Sequence, residues 1–188
     1  MKFYQPLPEN VEYKGKTYAV DFSFSTVLAV LDVLEDEEMT ADQRAGAALD
    51  LLIRQKHPNE RELLEAVLLL ITPKKKRTAN GPPSMDFSQD WEYIYAGFRQ
   101  AYGIDLFREN LHWLEFSALV KSLPKGTRMR EIIEIRAMPV PKPTKHNAEQ
   151  IAAILRAKTE HALTARPANL QKGLQKLYET LKSQAIGR

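Results

Sequence analysis

The chain has 188 residues, of which 44% are hydrophobic and 27% charged, with a formal net charge of +3. That is the balance of an ordinary soluble protein large enough to bury a core without covalent staples. There is no cysteine, which excludes disulfides, thiol catalysis and cysteine-held zinc or iron–sulfur clusters.

The first residues, "MKFYQPLPENVEYKG", lack the basic-then-apolar pattern of a secretion signal. The longest apolar run, Leu63–Ile71, is about half of a membrane span and is broken by Glu65. An intracellular protein with no membrane segment is expected. Chain order then begins with "VEYKGKTYAV", where apolar and polar residues alternate around Lys14-Gly15. This predicts a β-hairpin pairing Val11–Tyr13 with Thr17–Val20 across a tight glycine turn.

From about Ser23 onward the pattern is helical. Helices are predicted over 25–36, 41–56, 60–71, 87–102, 106–122, 128–137, 148–163 and 167–184. Four of the starts carry a capping residue followed three positions later by Gln or Glu: Thr40/Gln43, Asn59/Glu62, Asp86/Gln89 and Asn147/Gln150. Gly103 suits a left-handed helix end, and Asp105 the cap of the next helix.

Two linkers interrupt the series. "TPKKKRTANGPPS" (Thr72–Ser84) reads as a surface loop, and "MPVPKPTKH" (Met138–His146) as a stiff proline spacer. The expected organisation is a helical domain with its N-terminal hairpin over 1–138. The spacer and a basic C-terminal helical hairpin follow over 139–188, where nine Lys and Arg face three Asp and Glu. Leu170, Leu174, Leu177 and Leu181 line one side of the last helix, and Ile151, Ile154, Leu155, Ala162 and Leu163 could face them. That seam suits packing on its own domain, pairing with a second copy, or binding a partner helix.

No catalytic residue, metal site or cofactor site can be nominated. The histidines His57, His112, His146 and His161 have no metal-ligand spacing, and no phosphate-binding glycine loop or nucleophile elbow occurs. His112 lies three residues before Glu115, a spacing better suited to a structural role than to acid–base work. A non-enzymatic protein is expected. The alternative to protein binding is nucleic-acid binding through Lys74, Lys75, Lys76, Arg77 and the basic C-terminal region. Against it, these basic residues are not interleaved with aromatics as in a single-strand platform.

The aromatics concentrate between Asp86 and Pro124. Trp91, Ile94, Tyr95, Phe98 and Tyr102 share a helix face opposite Glu92, Arg99 and Gln100. On the next predicted helix, Leu111, Leu114 and Ala118 mark one side and Trp113, Phe116 and Val120 another, which predicts a central helix covered all round. These aromatics read as core. Tyr93 falls off the face and is the candidate exposed contact in this stretch.

The same stretch resembles the bacteriophage gene-product-fifteen family of tailed phages and prophages of Gram-positive bacteria. The matching pieces are Asp86-Phe87, Asp90, "YIYAGF" (Tyr93–Phe98), "YGID" (Tyr102–Asp105) and "LHWLEFSALVKSL" (Leu111–Leu123). "IIEIRAM" (Ile132–Met138) is similar to the family's closing helix with its arginine, and "VEYKGKTYAVDFSF" to its opening segment. The resemblance covers roughly Pro8 to Met138; the final helix has no clear counterpart.

The resemblance implies a tail assembly chaperone, without catalysis, in the cytoplasm of an infected or lysogenic bacterial host. Its implied partners are the tape measure protein and the tail tube protein, with a homo-oligomer also open. On the sequence reading, partner-binding residues would be Tyr93 with Leu170, Leu174, Leu177 and Leu181.

Overall fold

Two consecutive positive backbone angles shape the first element. Lys14 (φ 48°) and Gly15 (φ 75°) make a two-residue turn whose twist matches that of paired strands. It joins β1 (Asn10–Tyr13) to β2 (Lys16–Ala19) antiparallel, with Val11 opposite Tyr18. Those two side chains are buried while Glu12 and Thr17 are exposed, the period of two that a half-buried hairpin requires.

The computed structural model describes residues 5–72 and 84–164. Among them, seven helices follow the hairpin: α1 (Phe24–Glu35), α2 (Ala41–Leu52), α3 (Arg61–Ile71), α4 (Trp91–Tyr102), α5 (Trp113–Lys121), α6 (Arg128–Ala137) and α7 (Ala148–Glu160). The protein is mainly α-helical with a small N-terminal hairpin, as predicted. No described helix is long and apolar enough to cross a membrane. Lys74, Lys75, Lys76 and Arg77, and the last predicted helix with Leu170, Leu174, Leu177 and Leu181, lie outside the described residues.

Contacts divide the described chain into two units, 5–72 with 110–118, and 84–109 with 119–164. In the first, α1 packs on α2, α2 on α3, and α3 on β1. The core is aliphatic: Val27 and Val30 of α1, Ala48, Leu49 and Leu52 of α2, and Leu63, Leu64 and Val67 of α3 are fully or nearly fully buried. Each larger side chain contributes about 1.5–3 kcal/mol relative to exposure. The Glu60 carboxylate accepts bonds from the Tyr13 hydroxyl and from Lys14 Nζ (2.6 Å), tying the hairpin turn to the start of α3. Residues 110–118 join this unit through a bridge. The Trp113 amide donates to Phe22 O (2.7 Å), the Phe24 amide donates to Leu111 O (2.9 Å), and Phe24 stacks on Phe116 at 4.7 Å.

In the second unit α4 packs on α6, and α6 on α7. Residues on both sides of the proline spacer belong to this unit. Gly103 ends α4 in the left-handed conformation (φ 72°), as its position predicts. Gly97 lets Leu123 approach: a Cβ there would lie 3.2 Å from a Leu123 methyl.

Two predicted helices start several residues later than expected, for related reasons. The 87–102 helix begins at Trp91, because the Asp86 carboxylate accepts the Ser88 and Gln89 amides (2.9 and 2.8 Å) and closes a separate turn. The 106–122 helix begins at Trp113. Asp105 caps only the local turn, accepting from the Phe107 amide (3.2 Å), and the chain then extends to form the Ser23–His112 bridge. Nor is α5 covered all round: Trp113, Phe116 and Val120 are buried, whereas Leu111 and Leu114 are half-buried and Ala118 is exposed.

Only one of the four capping patterns forms as predicted. Thr40 and Gln43 bond reciprocally at α2. At α3 the cap position falls on Glu60, not Asn59, and no side-chain cap bond is made. Asn147 instead turns back to the spacer, accepting from the Thr144 amide (2.7 Å) and donating to Lys142 O (2.9 Å).

Candidate partner-binding surface

The residues that most resemble catalytic groups are engaged in structure. The His112 amide donates to Glu115 Oε2 (3.2 Å), and the Leu114 amide donates to His112 Nδ1 (3.1 Å). Since Nδ1 accepts, the ring hydrogen sits on Nε2, which donates to Pro8 O (3.1 Å). Histidine thus fills the cap role that serine or threonine usually takes, with Glu115 completing the box. The three-residue spacing noted in the sequence has this meaning.

Beside it lies an open cavity of about 390 Å³, lined by Pro8, Asn10, Asp21, Ser23, Asn110 and His112 among others. Of its two carboxylate residues, Glu9 and Asp21, the second is already occupied. Asp21 accepts from the Ser23 amide (3.0 Å), the Thr26 hydroxyl (3.1 Å) and Arg54 (3.2 Å). Burial alone would raise the Asp21 pKa, but the Ser23 amide and hydroxyl, the Thr26 hydroxyl and Arg54 together hold it below its ordinary value of 3.8. Among the described residues, no three His, Asp or Glu side chains converge as a metal ion requires.

In the second unit the main polar contact is buried. Asp90, 1% exposed, takes a two-pronged bond from Arg136, 11% exposed, at 2.7 and 2.8 Å. Arg136 also donates to Ser84 O (3.1 Å) and His161 O (2.6 Å), while Lys158 donates to the Arg136 carbonyl (2.5 Å). One guanidinium therefore holds the entry to α4, α6 and the end of α7 together. These are the aspartate and arginine on which part of the resemblance rests.

This unit exposes Met138, Val140 and Leu155 and, adjoining one another, two large aromatics. Trp91 is 50% exposed and Phe107 74%. Phe107 packs against both Tyr95 and Trp91, its ring 4.9 Å from that of Tyr95 and 6.3 Å from that of Trp91. The Tyr95 hydroxyl donates to Asp105 Oδ1 (3.4 Å), and Arg99 and Arg108 approach the other oxygen of the same carboxylate at 3.9 and 3.6 Å. The patch thus runs from Trp91 through Tyr95 and Phe107 to a pair of guanidiniums. Sequence reasoning placed Trp91 in the core, and the structure corrects that. The buried stripe of α4 is Ile94, Gly97 and Phe98; at about 100° per residue, Trp91 and Tyr95 fall on one shoulder of it. Tyr93 is half-buried on the opposite shoulder. Phe107 could not be placed from helical phase, because it stands in a turn and not in a helix.

The family model for bacteriophage Gp15 protein matches residues 3–163. No curated protein and no solved structure matches the chain. The match spans the hairpin and all seven described helices, including Asp90 and Arg136. This chain belongs to the bacteriophage Gp15 protein family.

Proposed function

We propose that this phage protein is a tail assembly chaperone that binds the tape measure protein during tail morphogenesis, acts without catalysis and works in the host cytoplasm. The observation that carries the reading is family membership over residues 3–163. The open aromatic patch of Trp91 on α4 and Phe107 in the following turn supports it, since adjoining apolar side chains left in water suit an interaction site. A chaperone of this kind would cover apolar faces of a long helical client until tube subunits displace it.

Co-expression with the tape measure protein of the same phage is the test. A complex that survives gentle purification, together with absence of the chain from finished virions by mass spectrometry, is the expected result. Clean separation of the two proteins overturns the reading. A salt-sensitive complex with DNA or RNA, lost when Lys74, Lys75, Lys76 and Arg77 are neutralised, would favour nucleic-acid binding instead.

A further inference from the structure

We propose that the Trp91–Tyr95–Phe107 patch, with Arg99 and Arg108 at its edge, receives an amphipathic helix that carries acidic side chains beside its apolar stripe. The inference rests on the chaperone reading and names the surface and the partner chemistry.

Three observations on this unit point to that occupant. The first is composition. Tryptophan, tyrosine and arginine are the residues that dominate binding energy at protein interfaces, and here they adjoin one another. The second is spacing. Trp91 and Tyr95 stand one helical turn apart on α4, a rise of about 6 Å. A partner helix presents its own apolar residues at that interval, so ridges of one can seat between ridges of the other.

The third is charge. The Asp105 carboxylate is turned toward its own unit and is shared among the Phe107 amide, the Tyr95 hydroxyl and both guanidiniums. Glu109 is likewise directed inward, accepting from the Asp105 amide (3.1 Å). The two arginines meet Asp105 only at 3.6–3.9 Å, beyond the range of a good charged hydrogen bond, and Arg99 spends one further donor on Gly103 O (3.3 Å). Both are solvent-exposed. Each guanidinium has five N–H donors in a planar fork, so the face offered outward is rich in donors suited to carboxylates. An acidic residue flanking an apolar anchor would complete that fork.

The test uses the full-length chain and the tape measure protein. Two double variants are titrated by calorimetry: W91S/F107S, which removes the anchors, and R99E/R108E, which reverses the rim. Leu69→Ser, at an exposed leucine of α3, is the control. Each double variant is expected to weaken binding by at least about tenfold, with a cooperative thermal unfolding transition retained. The charge-reversal effect should shrink as salt rises, and the control should bind as wild type does.

Wild-type affinity in both double variants overturns this inference and leaves the chaperone reading standing. If the wild-type chain forms no complex, both fall. A change in oligomeric state in W91S/F107S would assign the patch to a second copy of this chain and overturn the proposal. Protection of Trp91 from solvent quenchers in the free chain would show the patch already covered from within, and would overturn it too.

Discussion

At the scale of single residues, two carboxylates do different work because their surroundings differ. Asp90 is buried against a guanidinium that is only 11% exposed, so removing the carboxylate leaves a largely buried charge without its main partner. Asp90→Ala is expected to cost roughly 3–5 kcal/mol, read by denaturant unfolding. Arg136→Lys keeps the charge but loses the fork that reaches Asp90, Ser84 O and His161 O together. A smaller yet measurable loss is expected there. Asp21 is only partly buried, and its pKa is held below the ordinary carboxylate value. A depressed folded-state pKa contributes stability above the unfolded value, and that contribution is lost as pH falls through the folded one. Asp21→Asn should therefore lower stability at pH 7 by roughly 1 kcal/mol and flatten the stability curve below about pH 4. Unfolding measured from pH 2 to 7 checks both; an unchanged acid limb would exclude Asp21 as a source of that slope.

At the scale of elements, what the sequence disclosed and what it withheld have separate causes. The hairpin was readable because Lys14-Gly15 demands a two-residue turn and Val11 and Tyr18 then fall on one face. All seven described helices between Phe24 and Glu160 were readable from apolar phase, and Thr40 with Gln43 marked the start of α2. Starts failed where a side chain had a stronger customer. Asp86 and Asp105 closed single turns; α7 does start after Asn147 as expected, but that side chain bonds back into the spacer and makes no cap bond. None of that competition is visible in a three-residue spacing. Gly97 gives an element-scale prediction. In a helix interior glycine costs roughly 1 kcal/mol relative to alanine, so its presence in α4 implies a packing gain. With Leu123 methyls at 3.2 and 3.3 Å from the position of an added Cβ, Gly97→Val should destabilise by about 1–3 kcal/mol. Leu123→Ala in the same chain should relieve the crowding, so the double variant loses less than the sum of the singles. Strict additivity in the thermal unfolding of the three proteins would show that the two residues do not compete for space.

At the scale of the whole molecule, the candidate surface was the part least legible in advance. Its anchors come from a helix shoulder and from a turn, and no single periodicity contains both Trp91 and Phe107. Family wording disclosed the kind of protein, whereas only three-dimensional packing separated the aromatics that fill the core from those that do not. The chain's two tryptophans fall on opposite sides of that separation: Trp113 is 4% exposed in one unit and Trp91 50% in the other. Their emission should therefore divide cleanly. Acrylamide or iodide collides with Trp91 and not with Trp113, so wild-type fluorescence should quench in two fractions, one accessible and one resistant. Trp113→Phe should leave a single, fully accessible, red-shifted emitter. Trp91→Phe should leave a blue-shifted one that resists quenching until the chain unfolds. Trp91 lies at the edge of the packed stripe, so its replacement should cost little stability, whereas Trp113→Phe removes buried area and should lower the unfolding midpoint. Equal quenching of the two single-tryptophan proteins would mean that the boundary between core and open surface runs elsewhere than between these rings.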